Sequence, residues 1–493
     1  MKTDILLSRI KVKTCYGTFP EKVDHISLDS RQVKKGGVFV ARVGFNVDSH
    51  RFIPDVISQG CRFIVADRYL ELPEDVGLVL VKDTPRVASL LAQYIYDFPS
   101  SKMHVVGVTG TSGKTSTATM IHSLLGLVEE KSAIIGTNGF SVGEERTLNI
   151  NTTPETTLLT QQFAQAVEKK AQHMVMEVSS HALSLGRTAG IDYDISIYTN
   201  LSHEHLDFYR DLYHYGYTKG MLLSQMGSDL RREKYVILNA DDPFLEEMRW
   251  ESPYEILTFS LKDKEADFYA YNLKEGPEGT AFSLSCPEGE FALVSPYLGT
   301  FNVENLLCAL MTLWLKGFAM EEILPLVEKM PPIEGRLQFV GKEELPITLL
   351  VDYALTPDGL SRLLDAVRPL VNQRLILLTA MWGMGRDITK APKMGEISSV
   401  ADYVVFTNNH PGDDDRQRLV DELEKGITHK NYKKFLERKD AIEHAIEVSQ
   451  PGDVVLLSGR GSEPFMYVEK MKRIPFRDDL IALEFARKKY NDQ

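Results

Sequence analysis

The chain has 493 residues, enough for about three domains that each bury a core of their own. Hydrophobic residues at 43% and charged residues at 25% are ordinary for a globular protein. A net charge of −13, from 69 acidic and 56 basic side chains, argues against a general nucleic-acid or anionic-membrane binder, although a locally basic pocket for an acidic substrate stays compatible with it.

Residues 1–12 mix charged and apolar side chains, and no stretch approaches the ~18 apolar residues of a membrane span. A cytoplasmic location is expected. Short apolar runs then alternate with helical patterns, the signature of parallel α/β units. In the first hundred residues, 37–41 and 62–66 read as strands, 55–59 and 87–96 as helices, and 97–101 as a linker. A second block has strands at 105–108, 174–178, 195–198 and 235–238, each short and apolar as in a sheet covered on both faces. Residues 265–297 alternate more and suggest an antiparallel insertion. A third block starts near Gly335, with strands at 348–351, 375–378, 403–406 and 454–457. The four cysteines, Cys15, Cys61, Cys286 and Cys308, lack metal-type spacing and read as free thiols.

The most informative segment is Gly110-Thr111-Ser112-Gly113-Lys114-Thr115, between the strand at 105–108 and a helix expected over 115–127. A glycine-rich turn from strand to helix presents backbone N–H groups and the positive helix end to an anion. Lys114 would reach the outer phosphates of ATP, and the Thr115 hydroxyl would hold magnesium. The general motif wants glycine where Val108 stands. Glu177 ends an apolar strand and would lie at the carboxyl edge of the sheet, where ligands of such folds bind. His203, His205 and Asp207 follow the strand at 195–198 and suit a metal or phosphate site, with a solvated loop as the alternative. Lys219 taken alone reads as a surface lysine.

Together these residues resemble the Mur ligases, the ATP-dependent amide-forming enzymes of peptidoglycan precursor synthesis, over essentially the whole chain. The run Thr109 to Thr115 is similar to the family's own phosphate loop, which accounts for Val108. Asp29-Ser30-Arg31, Asn151-Thr152-Thr153-Pro154-Glu155-Thr156, Leu185-Gly186-Arg187 and His205-Leu206-Asp207-Phe208 resemble the MurE type. That type adds the third amino acid to UDP-N-acetylmuramoyl-L-alanyl-D-glutamate.

The resemblance implies an α/β fold of three domains: a nucleotide-sugar-binding domain over 1–99, a central parallel-sheet P-loop ATPase domain over 100–333, and a Rossmann-like, amino-acid-binding domain over 334–493. It implies an acyl phosphate formed from ATP, with Lys114, Glu177, His205 and Lys219 in the chemistry. Two magnesium ions are implied, near Thr115 and Glu177 and near His205, with Lys219 carbamylated beside the second. ATP is assigned to Gly110, Thr111, Gly113, Lys114, Thr115, Ser116, Asn302, Asn305, Arg336 and Asp352. Ser30, Thr152, Thr153, Ser180 and Arg187 are assigned to the nucleotide dipeptide. Arg386, Asn409 and Glu463 are assigned to the free L-amino acid. The expected protein is a monomer that binds neither nucleic acid nor membrane.

The chain departs from the family's pattern in its last third. Leu355 stands where the family has histidine, so a hydrogen bond to the nucleotide is lost. The family's Asp-Asn-Pro becomes Asn409-His410-Pro411, followed by Gly412 where diaminopimelate-adding members carry arginine. Lysine is therefore the expected amino acid, although Asn409 is neutral where lysine-adding members carry an acid. Arg460 and Ser462 also differ from the family's usual residues, and Trp382 adds bulk before Gly385-Arg386-Asp387. A diverged paralogue joining another acid and amine, and a binding protein that has lost turnover, are the competing expectations.

Overall fold

The computed structural model describes residues 1–490 apart from 45–46, 206–207, 228–230, 251 and 277. Asp207 therefore lies outside the described residues. Three parallel or mostly parallel sheets follow one another along the chain. The first orders its strands Thr14–Tyr16, Gly77–Leu80, Phe63–Ala66, Gly37–Val40 and His25–Ser27. Its inner strands are buried on both faces, as apolar runs without alternation require. The expected linker at 97–101 is a short 3-10 helix, Pro99–Lys102, because Pro99 at its first turn supplies a fixed φ and lacks only a donor that a helix start leaves unpaired.

The second sheet has eleven strands, and its centre decides where chemistry can occur. The strand His104–Thr109 lies between Ile195–Tyr198 and His173–Glu177, with parallel pairing on both sides. After this strand the chain forms the helix Lys114–Leu127, then the strand Ser132–Gly136, which pairs beyond His173–Glu177. The order of strands thus reverses beside His104–Thr109, leaving a crevice at its carboxyl end. The expected antiparallel segment is a meander of Phe268–Gly276, Gly279–Cys286 and Gly289–Ser295. It extends the same sheet through a parallel pairing with Glu255–Ser260.

The third sheet, six-stranded, contains all four strands expected in the last block, flanked by the edge strands Gln338–Val340 and Tyr432–Lys434. Apolar clusters cover both faces of each sheet, the helix Thr300–Leu315 being the most deeply buried element over the second. All four cysteines are free. Among the described residues, no helix is long and apolar enough to cross a membrane.

Candidate active site

The phosphate loop is shaped by what a side chain at its glycines would strike. Gly110 has φ 149°, and a Cβ there would sit 1.9 Å from Thr199 Oγ1. Gly113 has φ 87°, and its Cβ would meet Asn305 Oδ1 at 2.4 Å. Both positions require glycine. Val108, by contrast, lies within the strand, buried and in register with Glu177 and Ile197, so the turn begins only after it.

Around this loop opens a cavity of about 520 Å³. Thr111, Gly113, Lys114, Thr115 and Ser116 line it from the loop and the helix start. Glu177 enters from the neighbouring strand. It is 2% exposed, accepts from Thr115 Oγ1 at 2.9 Å, and takes the Thr137 backbone N–H at 2.8 Å. The half-buried Lys114 curls back, its Nζ donating to the carbonyls of Gly110 and Thr111, both at 2.8 Å.

Lys219 is far from a surface lysine. It is 1% exposed on the helix Leu212–Ser224, donates to the Gly110 carbonyl at 2.8 Å, and lies 4.2 Å from the centre of the Tyr215 ring. Burial, and then the charge of Lys114, hold its amine well below the ordinary lysine range. His205, at φ 58°, also lines the cavity, and burial pushes its imidazole down to about 4.

Thr152, Ser180 and Arg187 line the same cavity. Arg187 pairs with Glu155 at 2.8 Å and donates to the Thr153 carbonyl at 3.2 Å. Thr153 itself sits behind the wall, its hydroxyl donating to the Glu177 carbonyl at 2.9 Å. From the third sheet come Arg336, Asp352 and Arg386. Arg336 donates to Thr115 Oγ1 at 3.0 Å, and Arg386 Nη1 lies 3.5 Å from His205 Nδ1. Asp352 accepts the backbone N–H groups of Leu337 and Ala354, both at 2.7 Å, while burial raises its carboxyl.

Like Thr153, Gly110 and four other expected residues do not line the cavity. Asn302 is buried behind Asn305, whose amide donates to it at 3.2 Å. Asn409, 1% exposed, accepts from Arg460 Nη1 at 2.8 Å and donates to the Gly459 carbonyl at 2.7 Å. Glu463 lies behind Tyr353, whose hydroxyl donates to it at 3.3 Å. Ser30 is half-buried beside the first sheet, away from the cavity.

Asn200 and Glu204 are among the cavity residues that the sequence did not point to. Asn200 accepts the Ser112 N–H at 2.9 Å and donates to the Ser112 carbonyl at 3.2 Å, bracing the phosphate loop. It follows a buried strand just as Glu177 ends one, so the same strand-end rule could have found it. Glu204 lines the cavity with Lys114 and Lys219, and lies 3.7 Å from the His205 ring. Burial alone would raise its carboxyl, but His205, Lys114, Lys390 and Lys219 together hold it below its usual value.

Among the described residues, no three His, Cys, Asp or Glu side chains are grouped to hold a metal. The donors present, Thr115 beside Glu177, suit a magnesium ion that keeps waters and substrate oxygens as its other ligands. A second such ion near His205 would find the Glu204 carboxylate 3.7 Å from the imidazole, and a carbamate on the buried Lys219 would supply a further oxygen donor.

Residues 108–313 match the Mur ligase middle domain, and residues 335–461 the Mur ligase glutamate ligase domain. The chain is 46% identical over 490 residues to the UDP-N-acetylmuramoyl-L-alanyl-D-glutamate–L-lysine ligase of Staphylococcus aureus strain MW2, covering 99% of both chains. It is also similar to a solved UDP-N-acetylmuramoyl-L-alanyl-D-glutamate–2,6-diaminopimelate ligase, at 27% identity and TM-score 0.65 with 95% of each chain covered. MurF from Acinetobacter baumannii, at 20% identity and TM-score 0.69, shares the fold over 93% of this chain and 95% of its own.

Proposed function

The chain belongs to the Mur ligase family, and from that premise we propose that it is an ATP-dependent ligase adding L-lysine to the D-glutamate carboxylate of UDP-N-acetylmuramoyl-L-alanyl-D-glutamate. The observation that carries the reading is the convergence of the phosphate loop, the Thr115–Glu177 pair, buried Lys219 and Arg187 on one cavity.

The substrate carboxylate takes the γ-phosphoryl group of ATP, giving ADP and an acyl phosphate. The lysine α-amine then attacks the acyl carbon, and phosphate leaves as the amide forms. Backbone N–H groups from Gly110 to Thr115 and the Lys114 ammonium would hold the phosphates. Lys114 would leave its loop carbonyls for the γ-phosphate, so that positive charge meets the oxygens as they gain negative charge. Arg187 would exchange Glu155 for a substrate carboxylate, a bidentate match. Magnesium held by Thr115 with Glu177, and by His205 with carbamylated Lys219, would supply charge neutralisation at the transferring phosphoryl group.

Thr152 and Ser180 would contact the dipeptide, and Ser30 the nucleotide sugar. Asn305 and Asp352 would face the nucleoside of ATP, with Asn302 supporting Asn305, and Arg336, beside Thr115, would face its phosphates. Arg386 would take the carboxylate of lysine, with Glu463 its side-chain ammonium. The domains would divide as 1–99, 100–333 and 334–493, acting as a monomer in the cytoplasm, where UDP-linked precursors and ATP are found together.

A second reading, a paralogue that joins a different amine, is favoured by Asn409, whose amide is engaged by Arg460 and Gly459. One experiment separates the two: phosphate release with ATP, magnesium, the nucleotide dipeptide and a panel of amino acids. Release with lysine and little with others supports the first reading. Release with another amine alone favours the second, and silence across the panel defeats the first and favours a paralogue that takes another acid as well.

A further inference from the structure

The buried polar network behind Tyr353 and Trp382 has an unusual member, His410. It is 1% exposed, at φ 42°, and its ring stacks on Trp382 with centroids 4.4 Å apart and planes at 22°. Trp382 and Tyr353 both line the cavity, so His410 and Glu463 form the layer directly behind them.

The hydrogen bonds around the ring fix its state. Nδ1 accepts the Tyr467 backbone N–H at 3.0 Å, so Nδ1 carries no proton. Nε2 lies 2.6 Å from Glu463 Oε2 and must be the donor there, since a carboxylate oxygen only accepts. Arg460 Nη1, 3.1 Å from Nε2, is satisfied instead by Asn409 Oδ1 at 2.8 Å. A neutral ring with its proton on Nε2 meets all these demands at once.

Charge in this layer is closely balanced. Arg438, Asp478 and Arg460 are fully buried; Arg438 pairs with Asp478, and Arg460 Nε lies 3.3 Å from Asp478. Two guanidinium groups thus share one carboxylate, and Glu463, 3.8 Å from Arg460, supplies the second. With Asn409 neutral, Glu463 is the group in this layer that can face an incoming ammonium. Its direction decides whether it points at Arg460 or at the cavity wall.

We propose that His410 is a positioning residue for the acceptor amino acid: its neutral ring, braced by Trp382 and the Tyr467 N–H, donates from Nε2 to Glu463 Oε2 and holds that carboxylate off Arg460 and against the Tyr353 wall of the cavity, where it can read a side-chain ammonium. The inference rests on the amide-ligase reading above.

His410→Ala should raise the KM for lysine about tenfold, the loss of one hydrogen bond to a charged group, while KM for ATP and for the nucleotide dipeptide stay within about twofold. His410→Gln, whose amide N–H can take the place of Nε2–H, should recover most of the lysine affinity. NMR shifts of the ring nitrogens in the unaltered protein should report the Nε2–H tautomer, a measurement that needs no turnover. An equal rise for all three substrates, no rise for lysine, or an Nδ1–H or doubly protonated ring near neutral pH would overturn the proposal. Absence of amino-acid-dependent phosphate release in the unaltered protein would instead defeat the ligase reading, and the tautomer would still decide whether His410 donates to Glu463.

Discussion

At the scale of single residues, Lys219 is the position whose environment most changes its meaning. A lysine 1% exposed, beside Lys114 and donating to a carbonyl, has its charged form disfavoured by burial and by that neighbouring charge. A neutral amine can react with carbon dioxide, and the resulting carbamate would add an oxygen donor to the Glu204 carboxylate already beside His205. Lys219→Ala should therefore lower kcat by about a hundredfold or more, with partial recovery on adding short carboxylic acids that fill the vacated space. A variant that keeps full activity without them would remove Lys219 from the mechanism. Leu355 poses the opposite case, an apolar side chain on the cavity wall beside Asp352 and Tyr353. Leu355→His should lower KM for ATP about three- to tenfold by adding a hydrogen bond. An unchanged KM would mean that the nucleotide does not reach this wall.

At the scale of elements, the strands His104–Thr109 and His173–Glu177 do two jobs at their two ends. Their parallel register sets Glu177 beside Val108 at the carboxyl end and His173 beside His104 at the amino end. Burial pushes His104 down to about 2 and lowers His173 as well, against the pull of Glu130. Both imidazoles bind fewer protons folded than unfolded, so the unfolded chain is favoured as pH falls below the ordinary histidine value of 6.5. The sign is that stability rises with pH through this window, by up to about 1.4 kcal/mol per pH unit for each group. Urea midpoints at about pH 5 should lie below those at about pH 7.5, and His104→Phe should flatten the difference. An unaltered slope in that variant would assign the acid sensitivity elsewhere.

For the whole molecule, the cavity exists only because the second and third sheets face each other across it. Arg336 reaches Thr115, Arg386 reaches His205, and Arg362 pairs with Glu304 at 3.2 Å. Glu334 joins Arg146 at 2.8 Å and Arg477 at 3.3 Å. Partly exposed pairs of this kind contribute about 0–1 kcal/mol each, so bound substrates should do much of the work of holding the domains together. ATP with magnesium at about a hundred times its Kd should stabilise the protein by about 2.7 kcal/mol, read as a rise in Tm. Lys114→Ala should fold normally, since its lost bonds are to loop carbonyls, but show little of that rise and no phosphate release. A full ligand-induced rise in this variant would place the phosphates away from the loop.

The sequence alone determined what is written locally: the buried strands from their unbroken apolar runs, the phosphate loop from its glycines and Lys-Thr pair, and Glu177 from its place at a strand end. Each depends on near neighbours in the chain, so each is legible there. Short strands such as Thr14–Tyr16, exposed along their length, carry no such pattern and emerge only from pairing with Gly77–Leu80. The tertiary structure alone decided that Lys219 is buried, because its surroundings come from the Gly110 turn more than a hundred residues away. It likewise turned Asn409 inward onto Arg460 and set His410 between Trp382 and Glu463, contacts made across long stretches of chain. Chemistry that resides in one turn can be read in order; chemistry that resides in burial and shared charge depends on the fold that brings the groups together.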